Sequence, residues 1–205
     1  MHAQTIADRL RDDMLAGLLP PGAKLGQADL AERFAVSRIP VRDALALLAT
    51  QGLVALAPNK GATVIEMRRA DIIEAYDLRI LLECDLLHRA MAHMTTASHA
   101  EIDYALKRSN LEAHGPHAAD GDRLFHDALY TAANRPRQNA MILTLRHACQ
   151  IQIAAYDSLP AHTDQWLADH KAIVAHILAA DTPAATTRLQ THLRATKEAL
   201  LAAMG

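Results

Sequence analysis

Ile6, Leu10, Met14 and Leu15 recur at helical spacing and place one apolar face on a helix from Ala3 to Ala16. Gly17 ends it, and Pro20-Pro21-Gly22 imposes a loop, because the two prolines withhold backbone donors. Asp29 to Phe34 reads as a short second helix and Ala35-Val36 as a turn. Ser37 is then placed to cap a third helix running to about Gln51. After Gly52 the rhythm shortens to two apolar runs, Leu53 to Ala57 and Ala62 to Ile65, joined by Pro58-Asn59-Lys60-Gly61. That pattern predicts a β-hairpin, and a hairpin directly after a helix-turn-helix predicts a wing.

Glu66 to Ala70 is a short charged connector, and from Asp71 onward no strand pattern appears. Helical periodicity predicts six helices, over about 71–94, 97–112, 118–133, 137–157, 163–180 and 184–203. Gly115-Pro116, Asn134-Arg135-Pro136, Leu159-Pro160 and Asp181-Thr182-Pro183 punctuate them. Asn134 is expected to end its helix in a left-handed cap before Pro136. The chain thus reads as mainly α: a winged helix-turn-helix over 1–66, with three helices and a hairpin wing, then an all-α six-helix bundle over 71–205.

Composition narrows the function classes. Aromatic residues make up only 3% of the 205, so Leu, Ala, Ile and Met must fill the interior. The same scarcity argues against a single-strand nucleic-acid binder, which stacks bases on flat rings. Net charge is −2 but unevenly spread: residues 1–70 hold nine Lys/Arg against seven Asp/Glu, the remainder twelve against sixteen. A surface for DNA is therefore expected as a local patch on the first third. Cys84 and Cys149 have neither paired nor CxxC spacing and read as reduced thiols. Asp8, Asp12 and Asp13 interrupt any leader-like segment, and apolar runs such as Ala44 to Ala49 are too short to cross a bilayer. These features predict a soluble, cytoplasmic protein without a membrane partner.

A recognition helix presents N-terminal side chains to base edges in the major groove. Arg38 and Arg42 are spaced i, i+4 and share one face of the third helix, while Val41, Leu45 and Leu48 turn inward. Arginine suits bidentate contact with guanine or phosphate, although two arginines on a solvated helix are ordinary by themselves.

Eleven of the twelve histidines lie after residue 87. Asp122 and His126, spaced i, i+4, put a carboxylate and an imidazole on one helical face. His170 and His192 each lie eleven residues from Asp181, so an antiparallel hairpin turning there brings them level. Four metal-type ligands can thus converge from three helices. Taken one at a time, each histidine also reads as an ordinary polar residue, and the remaining ones are given that reading.

The segment from Leu18-Leu19-Pro20-Pro21-Gly22-Ala23-Lys24-Leu25 through Val36-Ser37-Arg38-Ile39-Pro40-Val41-Arg42-Asp43-Ala44-Leu45 to Gly52-Leu53-Val54 closely resembles the GntR family of bacterial repressors. The resemblance covers residues 4–65, including the wing Pro58 to Val64. It implies DNA contacts from Ser37, Arg38 and Arg42, with Lys60 and Gly61 approaching the minor groove or backbone at the wing tip. Ala28 stands where some members carry a contacting arginine.

Residues 71–200 resemble the FCD sensor domain of FadR-type members, through Arg79-Ile80-Leu81-Leu82-Glu83, Asp122-Arg123-Leu124-Phe125-His126, Asn134, His170-Lys171-Ala172-Ile173 and His192-Leu193. Six helices in a short domain look more like the VanR-type branch than the seven-helix branch. The resemblance implies a divalent metal on Asp122, His126, His170 and His192, and a homodimer on a near-palindromic duplex operator.

Three imidazoles and a carboxylate suit Zn²⁺ first, with Ni²⁺ or Mn²⁺ as alternatives. Open coordination positions would accept a small organic acid as effector. Arg79 is a candidate ion-pair partner for that acid, with an ion pair to Glu83 as the competing reading. The rival function is a metal-dependent hydrolase using the same cluster. It lacks HExxH, GxSxG and a carboxylate placed at helical spacing to act as base, so no catalytic residue and no enzyme is expected.

Overall fold

A computed structural model describes residues 1–57, 61–115, 118–156 and 159–205, without the side chains of 160 and 161. The chain forms two units, Met1–Arg68 with Arg146–Tyr156, and Arg69–Leu145 with Asp157–Gly205.

In the first unit, α1 (Ala3–Leu15), α2 (Gln27–Arg33) and α3 (Arg38–Thr50) surround an apolar core. Ile6, Leu10 and Met14 from α1 meet Val41, Leu45 and Leu48 from α3, all fully buried. Each such side chain contributes about 1.5–3 kcal/mol on burial, which explains why the helical spacing was readable. Ala35 takes φ 51° in the α2–α3 turn, and Val36 N closes that turn on Ala31 O at 3.0 Å. Arg11 Nη2 donates to Gln51 Oε1 at 2.8 Å and ties α1 to the end of α3. Ile151, from the later segment of this unit, is also fully buried in the core. Gln152 joins it by accepting from Met67 N at 3.3 Å and donating to Ile65 O at 3.3 Å.

The expected hairpin is present as β2 (Val54–Ala57) and β3 (Gly61–Val64), paired antiparallel from Val54↔Val64 to Ala57↔Gly61. A third strand not expected from sequence, β1 (Lys24–Leu25), pairs with the other edge of β3 through Lys24↔Thr63 and Leu25↔Ala62. Two residues are too few to show alternation; β1 is fixed by its ladder and by Leu25, which is buried.

The second unit is helical: α4 (Arg69–Met91), α5 (Thr96–Glu112), α6 (Ala118–Tyr130), the first part of α7 (Pro136–Ile153), α8 (Thr163–Leu178) and α9 (Thr182–Ala203). Their bounds fall within a few residues of the periodicity. Leu86, Ile102, Phe125, Leu129, Ile173, Leu189 and Leu193 fill the core. Asn134 adopts φ 49°, ψ 50°, the left-handed cap expected before Pro136. The reversal between α8 and α9 forms at Ala180, φ 54°, and Asp181, whose Oδ1 accepts from Ala184 N at 3.0 Å. Gly121 lies flush against α5: a Cβ there would sit 3.1 Å from Ser109 Cα. That close approach sets the position of the neighbouring Asp122. Among the described residues, no helix is long and apolar enough to cross a membrane.

Candidate metal centre and DNA-reading helix

His126 on α6, His170 on α8 and His192 on α9 are all buried. Each offers a ring nitrogen within 4.8 Å of the others, and the rings of His170 and His192 lie 4.8 Å apart between centroids. The equal spacing of the two about Asp181 therefore does bring them level. Asp122 Oδ1 is 3.7 Å from Nε2 of both His126 and His170, and at 38% exposure it forms the open side of the cluster. Phe125 closes another side, stacked on His170 with centroids 4.1 Å apart.

Two imidazoles are anchored from behind. His192 Nδ1 lies 3.3 Å from Asp169 Oδ2, and Asp169 Oδ1 accepts from Arg188 Nη2 and from Gln165 Nε2, the latter at 3.0 Å. His126 Nδ1 is 3.2 Å from the Tyr130 hydroxyl and 3.4 Å from Glu83 Oε2. Tyr130 Oη donates to that Glu83 oxygen at 2.6 Å. A tyrosine that donates to Glu83 accepts from the imidazole, which places the His126 proton on Nδ1. In both rings the anchored nitrogen is Nδ1, which leaves Nε2 to face the cluster.

Burial works against the charge on Asp169, but hydrogen bonds with His192 and Gln165, together with the charges of His192 and Arg188, hold its carboxyl below the usual range. Burial, reinforced by the Glu83 charge, pushes the Cys84 thiol up to about 11.

Arg79 is buried, and its Nε donates to Glu83 Oε1 at 2.8 Å, the ion pair that its i, i+4 spacing allows. Its guanidinium also lies 4.7 Å from the Tyr76 ring centroid. Sequence reasoning missed Glu83, Tyr130, Asp169, Gln165 and Arg188 as neighbours of the cluster. Tyr130 follows His126 by four and Arg188 precedes His192 by four, so an i, i+4 scan finds both. No spacing links Glu83 or Asp169 to a histidine on another helix.

On α3, Ser37, Arg38 and Arg42 are all exposed. Ser37 occupies the N-cap position with extended backbone, and its side chain makes no capping hydrogen bond. Arg42 Nη2 pairs with Asp43 Oδ1 at 3.0 Å, an exposed contact worth at most about 1 kcal/mol and easily exchanged. Gly61 opens β3 with φ 113°; Lys60 lies outside the described residues.

Two family descriptions match the chain: "Bacterial regulatory proteins, gntR family" over residues 2–64 and "FCD domain" over residues 74–195. An HTH-type transcriptional regulator in an unstable DNA locus of Streptomyces ambofaciens is 31% identical over 193 residues, 91% of this chain and 80% of that protein. The gluconate operon transcriptional repressor of Bacillus subtilis is 39% identical over 84 residues, 41% of this chain and 34% of that one. Among solved structures, E. coli McbR/YncC superposes with a TM-score of 0.87 at 23% identity, covering 99% of this chain and 98% of the other, a likeness of fold.

Proposed function

The chain belongs to the gntR family of bacterial transcriptional regulators and carries an FCD domain, and from that premise we propose that a small organic acid, bound at a divalent metal in the second unit, tunes its hold on DNA. The observation that carries the reading is the buried convergence of His126, His170 and His192, with ligand atoms within 4.8 Å. Buried imidazoles that face one another at this range repel if protonated, whereas neutral ones converge lone pairs on a common point. The donor set thus fits a first-row cation. Asp122, His126, His170 and His192 would hold it, Zn²⁺ first, with Ni²⁺ or Mn²⁺ as alternatives.

Such a cation supplies charge and open coordination positions to an acid's carboxylate. The protein's own part is to orient the ligands through Asp169 and Glu83 and to leave Asp122 at the open side. The name of the Bacillus subtilis relative associates it with an operon for an organic acid, which favours this effector class. Arg38 and Arg42 are the proposed base and phosphate contacts, with Ser37, Lys60 and Gly61 beside them, acting in the cytoplasm on a near-palindromic duplex as a homodimer.

Elemental analysis of the purified protein, with melting curves before and after chelation, tests the metal. Stoichiometric metal and a chelator-induced loss of stability are expected, because an ion bound only by the folded state adds stability. Metal-free protein that melts identically with and without added Zn²⁺ would falsify the site. Operator titration with and without a panel of small carboxylic acids then tests the effector.

A further inference from the structure

The two oxygens of Asp169 are not equivalent. Oδ1 takes the Arg188 and Gln165 donors, and among the described residues Oδ2 faces only His192 Nδ1, at 3.3 Å. Asp169 is 3% exposed, so water offers little substitute for these partners. An oxygen-only side chain facing Nδ1 requires a proton on that nitrogen, and a neutral imidazole with Nδ1–H carries its lone pair on Nε2.

We propose that Asp169 is a positioning residue which locks His192 in the Nδ1–H tautomer and thereby presents Nε2 as a ligand atom to a cation at the His126, His170 and His192 cluster. This rests on the cation reading of the cluster, but the tautomer itself belongs to the metal-free protein.

The asymmetry makes a sharp consequence for Asp169→Asn. The amide keeps one carbonyl oxygen, and two donors at the Oδ1 position recruit it there. The NH₂ group then stands where Oδ2 was and donates to Nδ1. His192 is forced into the opposite tautomer, with Nε2 protonated and unable to ligate. Asp169→Ala imposes neither tautomer. The near-isosteric substitution is therefore more harmful to metal binding than the truncation, an order that a merely structural or charge-based role would not produce. The same logic governs the orienting aspartate of serine-protease triads, where asparagine selects the wrong tautomer.

The experiment uses full-length, metal-free protein labelled with ¹⁵N-histidine at mildly alkaline pH, where imidazoles are neutral. Long-range ¹H–¹⁵N correlation distinguishes the tautomers, with His192 assigned by its loss in His192→Gln. The wild type is expected to show Nδ1–H at His192, Asp169→Asn to show Nε2–H, and Asp169→Ala a mixture. Zn²⁺ competition against a chromophoric chelator should rank wild type above Asp169→Ala and Asp169→Ala above Asp169→Asn, with the asparagine variant weakened on the order of 10–100-fold or more.

Nε2–H at His192 in the wild type overturns the proposal, as does an unchanged tautomer in Asp169→Asn or an asparagine variant that binds Zn²⁺ as tightly as the alanine one. A wild type that shows Nδ1–H yet binds no Zn²⁺ removes the cation reading, and the ligand-presenting role falls with it. Should Asp169→Asn not fold, the wild-type spectrum and the Asp169→Ala mixture still decide the lock.

Discussion

Gly61 sits directly against the backbone of Leu25, so that a Cβ at position 61 would penetrate the Leu25 carbonyl oxygen and crowd Gly26 Cα at 3.3 Å. The glycine also holds φ 113°, a conformation open to few other residues. Its place at the edge of the wing therefore has a cause in the sheet itself: β3 can seat beside β1 only if residue 61 has no side chain.

Gly61→Ala should accordingly destabilise the first unit in the absence of any DNA, by at least about 2 kcal/mol from the backbone conformation and the clash together. Denaturant unfolding of the free protein measures this. A variant that unfolds like the wild type but binds operator poorly would instead assign Gly61 a role in DNA contact alone.

Arg38 and Arg42 stand on the exposed side of a helix whose other side is fully committed to the core through Val41, Leu45 and Leu48. Replacing either arginine by alanine should leave the fold intact and weaken specific operator binding by about 1–3 kcal/mol. Titrations at several salt concentrations separate the two roles. A base contact changes sequence preference, whereas a phosphate contact lowers affinity for all duplexes and reduces the salt slope by about 1. Wild-type affinity in both variants would remove α3 as the reading element.

What was legible in the sequence is what has a local cause. The α3 stripe of Val41, Leu45 and Leu48 announces a buried face by its period, and the equal spacing of His170 and His192 about Asp181 announces their meeting. Strand β1 was not legible because two residues carry no period, and its partner lies nearly forty residues on, at Thr63 and Ala62. Glu83 and Asp169 were not legible because each anchors a histidine on a different helix. Their connection is a product of packing, visible in the structure as buried charge and marked by no local pattern in the sequence.

Cys84 offers a pH-resolved test of the second unit's interior. Burial, with the neighbouring Glu83 charge, raises its thiol from the ordinary 9.0 to about 11. The folded state thus holds this proton more tightly than the unfolded chain, so the associated stability is intact below pH 9.0 and is lost as pH rises toward 11. Alkylation by iodoacetamide, followed by peptide mass spectrometry, should stay slow at Cys84 through mildly alkaline pH and accelerate only near the raised value. Rapid modification near neutral pH in folded protein would show the thiol to be exposed and activated.

The Glu83 carboxylate is completely buried and serves three groups at once. Arg79 Nε lies at 2.8 Å on one oxygen; the Tyr130 hydroxyl, at 2.6 Å, and His126 Nδ1, at 3.4 Å, share the other. Buried ion pairs contribute little net stability when complete, yet removing one partner leaves the other charge in a low-dielectric interior, at a cost of about 3–5 kcal/mol. Glu83→Gln preserves shape but takes away the carboxylate that Arg79 faces. Tyr130→Phe leaves that ion pair in place and removes a hydroxyl that donates to Glu83 and accepts from His126 Nδ1, which should cost about 1.5–3 kcal/mol. Denaturant unfolding of the metal-free variants should therefore rank Glu83→Gln below Tyr130→Phe in stability. Equal losses would mean that the Arg79 charge is compensated elsewhere, and that Glu83 matters mainly as an acceptor for Tyr130 and His126.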